Sequence, residues 1–236
     1  MKRTIIVFSG GLDSTCLLAK LRDEGREVKC ISIDYGQKHR RELEAAAKIC
    51  ALLGVEHRVA DLSGLRPLLG GSSQTDDSVA VPHGNYDEPS MAVTVVPNRN
   101  MVLLAVAGMW AISTKSDSIA YAAHAGDHAQ YADCRSEFVD PMAQAMRNAD
   151  WHKVEIERPF LNVTKADIVR IGSQLPNGVE LMATSYSCYE GGEVHCGSCG
   201  TCRERRSAFR DAGVPDPTAY LPEGLREAPI TSLPKL

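Results

Sequence analysis

The sequence predicts an α/β fold: a Rossmann-like parallel sheet flanked by helices, with a small cysteine-rich region at its C-terminal end. Three observations carry this. Apolar, β-branched runs alternate with helical patterns from residue 4 onward, the order that builds successive strand–helix–strand units with right-handed crossovers. A glycine-rich string, Ser9-Gly10-Gly11-Leu12-Asp13-Ser14, sits at the first strand-to-helix junction. Four cysteines crowd between Cys188 and Cys202.

Residues 4–8 (Thr-Ile-Ile-Val-Phe) read as a strand buried on both faces. Residues 14–22 carry Leu17, Leu18 and Leu21 at helical spacing, and Gly25 closes that helix. A second strand is expected over 27–34, an alanine-rich helix over 40–53 stopped by Gly54, and a third strand over 55–61. Residues 62–90, punctuated by Gly70-Gly71, Pro82, Gly84 and Pro89, form a long irregular segment, either a mobile lid or a disordered insertion. Residues 101–112 are apolar all round and predict a buried helix. A fourth strand follows at 118–123, a helix at 133–148, and a fifth strand or loop at 154–160. A helix over 164–174 has Thr164 as its cap and Asp167 three residues later. Two regions are expected, 1–180 and 181–236, the second holding the cysteines, a helix and a tail with Pro215, Pro217, Pro222, Pro229 and Pro234.

With 44% hydrophobic and 24% charged residues, the 236-residue chain can bury a substantial core. The apolar run at 4–8 is too short for a signal peptide, and no stretch approaches the roughly 20 apolar residues of a membrane span. A cytoplasmic protein is expected. The formal charge of −4 argues against a nucleic-acid polymer as main partner, while leaving room for a small anionic substrate.

The glycine loop can turn tightly, expose its amides, and set them at a helix N-terminus beside the hydroxyls of Ser9 and Ser14. That combination cradles pyrophosphate. It lacks the Lys-Ser/Thr pair of a Walker A loop and is not the dinucleotide fingerprint. Asp34-Tyr35-Gly36-Gln37, at the end of the second strand, reads either as a nucleotide contact or as a plain turn. In the cysteine region, Cys188-x7-Cys196-x2-Cys199-x2-Cys202 offers four thiolates among glycines, suited to one structural Zn²⁺, with an iron–sulfur cluster as the rival. His195 would be a fifth ligand and is left out.

The complete S-G-G-x-D-S string resembles the PP-loop of the adenine nucleotide α-hydrolase superfamily. That resemblance implies cleavage between the α- and β-phosphates of ATP with Mg²⁺, adenylation of a substrate oxygen, and displacement of AMP. It implies a nucleotide contact along Phe8, Ser9, Gly10, Gly11, Leu12, Asp13, Ser14, Thr15, Cys16, Leu17 and Leu18, with Asp34 and Tyr35, and a catalytic role for Asp13 and Ser14. Further motifs lie in order: Val96-Pro97-Asn98-Arg99-Asn100, Asp133-Cys134-Arg135-x2-Phe138, Pro159-Phe160-x4-Lys165-x-Asp167-Ile168 and Tyr186-Ser187-Cys188-Tyr189. With the cysteine cluster behind them, the chain from about residue 4 to 211 resembles the 7-cyano-7-deazaguanine synthases of queuosine biosynthesis.

The resemblance implies an ATP-dependent carbon–nitrogen ligase. It would convert 7-carboxy-7-deazaguanine and ammonia to the nitrile (preQ0) through adenylated intermediates, as a homodimer. Arg99 and Lys165 are then expected to neutralise phosphate charge, Lys165 from an exposed first turn, and Asp133 and Arg135 to contact the deazaguanine. No glutaminase domain is visible, so ammonia would come from solution or a partner. A tRNA thiolation or lysidine-type PP-loop enzyme is the alternative; it usually brings a basic surface or an RNA-binding domain, and neither shows here. A zinc module that merely binds nucleotide would leave the intact loop unexplained.

Overall fold

The structure, a computed structural model, describes residues 1–223; Pro229 and Pro234 of the expected tail lie outside them. Five strands form one sheet: β1 (Arg3–Val7), β2 (Glu27–Asp34), β3 (His57–Asp61), β4 (Ser118–Ala120) and β5 (Glu155–Glu157). All neighbours pair parallel, in the order β3-β2-β1-β4-β5. The α-helices of the described residues are α1 (Leu12–Asp23), α2 (Arg41–Leu53), α3 (Arg99–Ser113), α4 (Ser136–Asn148), α5 (Lys165–Ser173), α6 (Gly178–Thr184) and α7 (Gly200–Ala212).

Successive strand residues face opposite sides of a sheet, and both sides here are covered. Ile5, Ile31, Ile33 and Ile119 enter one core with Leu104 and Trp110 of α3 and Val139 of α4. Their neighbours Ile6, Cys30 and Ala120 enter the other, with Leu17 of α1, Ile49 of α2, Ile168 of α5, Met182 of α6 and Phe209 of α7. The expected boundary near residue 180 is therefore bridged by a continuous core. A backbone bond from Tyr186 N–H to the Gly10 carbonyl (3.0 Å) ties the cysteine region directly to the glycine loop.

The expected cap of α5 is present. Thr164 accepts from the Asp167 N–H, and the Asp167 carboxylate accepts from the Thr164 N–H. The fifth-strand alternative is realised as β5. Residues 62–90 are irregular, as expected, apart from a short 3₁₀ turn at Ser63–Leu68 and the start of another, Pro89–Thr94, at their end. They are also tied down: Lys38 N–H donates to the Gln74 carbonyl (2.8 Å), and His83 bridges to Cys199. The expectation for α3 needs correcting. Leu104, Ala107, Trp110 and Ala111 face the sheet, but Met101 and Met109 are 40% and 72% exposed. An outer-layer helix meets a sheet along one stripe only, whatever its composition. No helix of the described residues is long and apolar enough to cross a membrane.

Candidate active site

β1 and β4 lie side by side while β1 connects through α1 to β2 on its other flank, so the chain order reverses between them. Loops leaving the carboxyl ends of strands at such a point part and leave a crevice. Here it is a two-lobed cleft. One lobe, about 820 Å³ counting space open to solvent, runs under Phe8, Ile31, Ile33 and Tyr121. The other faces the cysteine region through Lys165, Ser187, Cys188 and Tyr189, with Gln74 and Tyr86 contributed by the irregular segment. Ser9, Asp13, Tyr35, Gln37, Glu42, Arg99 and Asp127 line both.

The glycine loop is wound on itself. Ser9 Oγ accepts from the Gly11 N–H (3.1 Å) and meets Ser14 Oγ at 3.0 Å, while Ser14 Oγ donates to the Gly11 carbonyl (3.2 Å). Gly10 has φ +82°, the left-handed region that glycine enters at no steric cost. A Cβ there would overlap the Glu42 carbonyl oxygen and lie 2.6 Å from the Ala46 nitrogen. Gly10 is thus demanded by the close approach of α2, which holds the loop in place.

Asp13 anchors an ionic cluster. Its Oδ2 lies 3.1 Å from Lys165 Nζ, which is 2.6 Å from Glu204 Oε2. His124 Nε2 stands 4.0 Å from Asp13, 3.7 Å from Asp127 and 4.0 Å from Glu204. Burial by itself would raise the Asp13 carboxyl, but Lys165 and then His124 hold it below the usual range. Its Oδ1 is buried with no protein partner, an acceptor left for a ligand. Lys165 is not on the exposed turn expected of it: its side chain is 12% exposed, because α5 packs between α1 and α7 and turns that first residue inward. Arg99 follows Asn98, which takes φ +56°, a conformation asparagine tolerates better than most residues. Its guanidinium sits 5.6 Å from the Tyr131 ring centroid, and its Nε has no partner.

Several expected residues stay out of the cleft. The side chains of Cys16, Leu17 and Leu18 belong to the core, and Thr15 is buried beside them, because the helical period turns these positions away from the loop. Asp34 accepts from the Gly36 N–H (3.1 Å) and pairs with Arg40, closing its own turn; only Tyr35 of that pair reaches the cleft. Asp133 accepts from the Asn100 N–H (3.0 Å) at the start of α3. Arg135 donates to the His128 carbonyl (2.7 Å) at the surface. Conversely, Glu42, His124, Asp127, Tyr189 and Glu204 reach the site without having been expected. They come from four separate stretches; Tyr189 lies in a motif beside Cys188, and no local spacing marks the others.

The four cysteine sulfurs lie within 4.8 Å of one another, all buried, with Cys196 and Cys202 Sγ 3.8 Å apart. Tetrahedral coordination at about 2.3 Å puts ligand sulfurs roughly 3.8 Å apart, so one ion fits. Backbone N–H groups of Cys196, Ser198 and Cys199 donate to Cys188 and Cys196 sulfurs at 3.2–3.4 Å, favouring thiolates. His195 instead accepts from the Ser187 N–H and stacks on Tyr186, which accounts for it without a metal.

Residues 3–213 match the family model for queuosine biosynthesis protein QueC. The chain belongs to the QueC family. The match covers nearly the same span as the resemblance read from the motifs. Similar curated proteins include the 7-cyano-7-deazaguanine synthase of Caldicellulosiruptor saccharolyticus, 49% identical over 92% of this chain and 95% of that one. That of Pseudoalteromonas translucida is 45% identical over 93% and 99%. That of Methanoregula boonei is 47% identical over 93% and 100%. Among solved structures, a predicted tRNA methyltransferase subunit from Methanocaldococcus jannaschii has TM-score 0.51 at 16% identity, covering 98% of this chain and 97% of that one. A 4-thiouridine synthetase–RNA complex with bound ATP has TM-score 0.50 at 15%, covering 98% and 54%. These two show a shared fold.

Proposed function

We propose that this QueC-family enzyme converts 7-carboxy-7-deazaguanine and ammonia to 7-cyano-7-deazaguanine, using ATP at the cleft between β1 and β4. Identity of 43–49% to curated synthases along most of the chain carries this reading. The geometry supports it. Amides and hydroxyls of Ser9–Ser14 sit at the start of α1, where pyrophosphate charge is stabilised. The free oxygen of Asp13 suits a Mg²⁺–phosphate group, and Lys165 and Arg99 bring positive charge to the cleft that Ser9 and Asp13 line. A carboxylate is a poor electrophile. Bringing its oxygen to the α-phosphate creates a leaving group, ammonia yields the amide, and the same presentation of the amide oxygen leads to the nitrile.

The four cysteines would hold one structural Zn²⁺, since an iron–sulfur cluster offers no chemistry to an adenylating enzyme. The apolar stripe of Met101, Ala105 and Met109 on α3 supports a homodimer. Cytoplasmic location, free or partner-supplied ammonia, and a role without direct nucleic-acid contact complete the reading. Incubation with 7-carboxy-7-deazaguanine, ammonia and ATP should give nitrile, AMP and pyrophosphate. ADP and phosphate, or no nitrile, would overturn it.

A further inference from the structure

Among the carboxylates lining the cleft, most are engaged. Asp13 pairs with Lys165, while Asp127 accepts from the Tyr86 hydroxyl (3.2 Å) and the His124 N–H (3.1 Å). Glu42, on the first turn of α2, is different: among the described residues its carboxylate has no hydrogen bond and no ion pair. It lines both lobes, and its Oε1 lies 4.0 Å from where a Cβ of Gly11 would stand, directly against the phosphate-binding loop.

The chemistry proposed above needs a proton acceptor, and Glu42 is the lining carboxylate that, among the described residues, no hydrogen bond or ion pair occupies. In the first half, ammonia nitrogen bonds to the acyl carbon, the C–O bond to AMP breaks with its electron pair, and nitrogen must shed one proton. In the second, the activated amide loses AMP as the C≡N bond completes, and nitrogen sheds two. We infer that Glu42 is the catalytic base that accepts these protons from nitrogen and passes them to solvent through the open cleft. The inference rests on the functional reading above.

Geometry places the carboxylate against Gly11 of the phosphate-binding loop, facing the cleft in which the activated acyl group would meet nitrogen. Around it stand Asp13 of the loop, Tyr35 after β2, Arg99 of α3, Lys165 of α5 and Tyr189 beside Cys188. Burial pushes the Glu42 carboxyl up to about 7, while Arg99 and Lys165 pull it down and Asp13 adds to the rise. A base works best when its pKa lies near the working pH.

Glu42→Gln keeps the shape and removes the base. Nitrile formation should fall on the order of 10²–10⁴-fold in kcat, with KM for the deazaguanine little changed. The wild-type acidic limb, rising through about pH 7, should vanish in Glu42→Gln. Substrate-dependent ATP–pyrophosphate exchange, which needs no nitrogen, should persist in this variant and so exclude misfolding. Glu42→Asp should recover part of kcat together with the limb. A raised KM at unchanged kcat, or an intact rate and limb, would overturn the role. A wild-type enzyme with neither exchange nor AMP would instead sink the functional reading on which it stands.

Discussion

Asp13 shows how a single side chain acquires a task. The sequence places it on the first turn of α1, and the fold then surrounds it with Lys165, His124 and Glu204 while leaving Oδ1 free. Asp13→Asn should reduce AMP formation by 10²-fold or more, on the order of losing a preorganised electrostatic contact, without changing metal content. AMP release at the wild-type rate would show that the free oxygen carries nothing. Glu42 makes a second residue-scale test, in stability. Its folded carboxyl titrates at about 7 against an ordinary value of 4.5. Between those values the folded state holds a proton that the unfolded chain has released, so stability falls as pH rises through this window. Thermal melts from pH 4.5 to 8 should therefore show the wild type losing stability relative to Glu42→Gln. Parallel curves would mean that Glu42 is ordinarily solvated.

At the scale of elements, the packing of α2 on the glycine loop and the free face of α3 carry the predictions. Gly10→Ala puts a methyl into the Glu42 carbonyl at a left-handed φ, with backbone rather than a flexible side chain in the way. Loss of both activity and stability should follow, beyond the 1–2 kcal/mol that a left-handed non-glycine residue alone costs; Gly25→Ala, equally left-handed but with open space around it, is the control. On α3, Met109→Glu should turn a dimer into a monomer by light scattering while leaving the sheet intact, since Met109 is 72% exposed. A wild type that is already monomeric would remove this proposal.

At the scale of the molecule, the cysteine region and the nucleotide loop form one body. Tyr186 bonds to Gly10, and the fully buried Arg205 of α7 donates to Ser185, Ser187 and the Met182 carbonyl, bracing the segment that leads to Cys188. Structural zinc sites contribute on the order of 10 kcal/mol of apparent binding energy. Chelation or Cys199→Ser should therefore lower the melting temperature and raise KM for ATP together. Metal loss that left ATP binding untouched would show the two regions to be independent.

By itself the sequence determined the strand–helix alternation, the glycine loop, the cluster of four cysteines and the family. Each is written in local spacing: periods of two and 3.6, adjacent glycines, two-residue gaps between thiols. Tertiary structure alone decided that α3 keeps one face bare, that Lys165 is buried, and that Asp133 and Arg135 serve α3 and the surface instead of the cleft. It also gathered Glu42, His124, Asp127 and Glu204 around Asp13. The physical reason is that a site at a sheet's switch point is assembled by crossover connections, which bring together residues as far apart as 13 and 204 with no repeating interval between them.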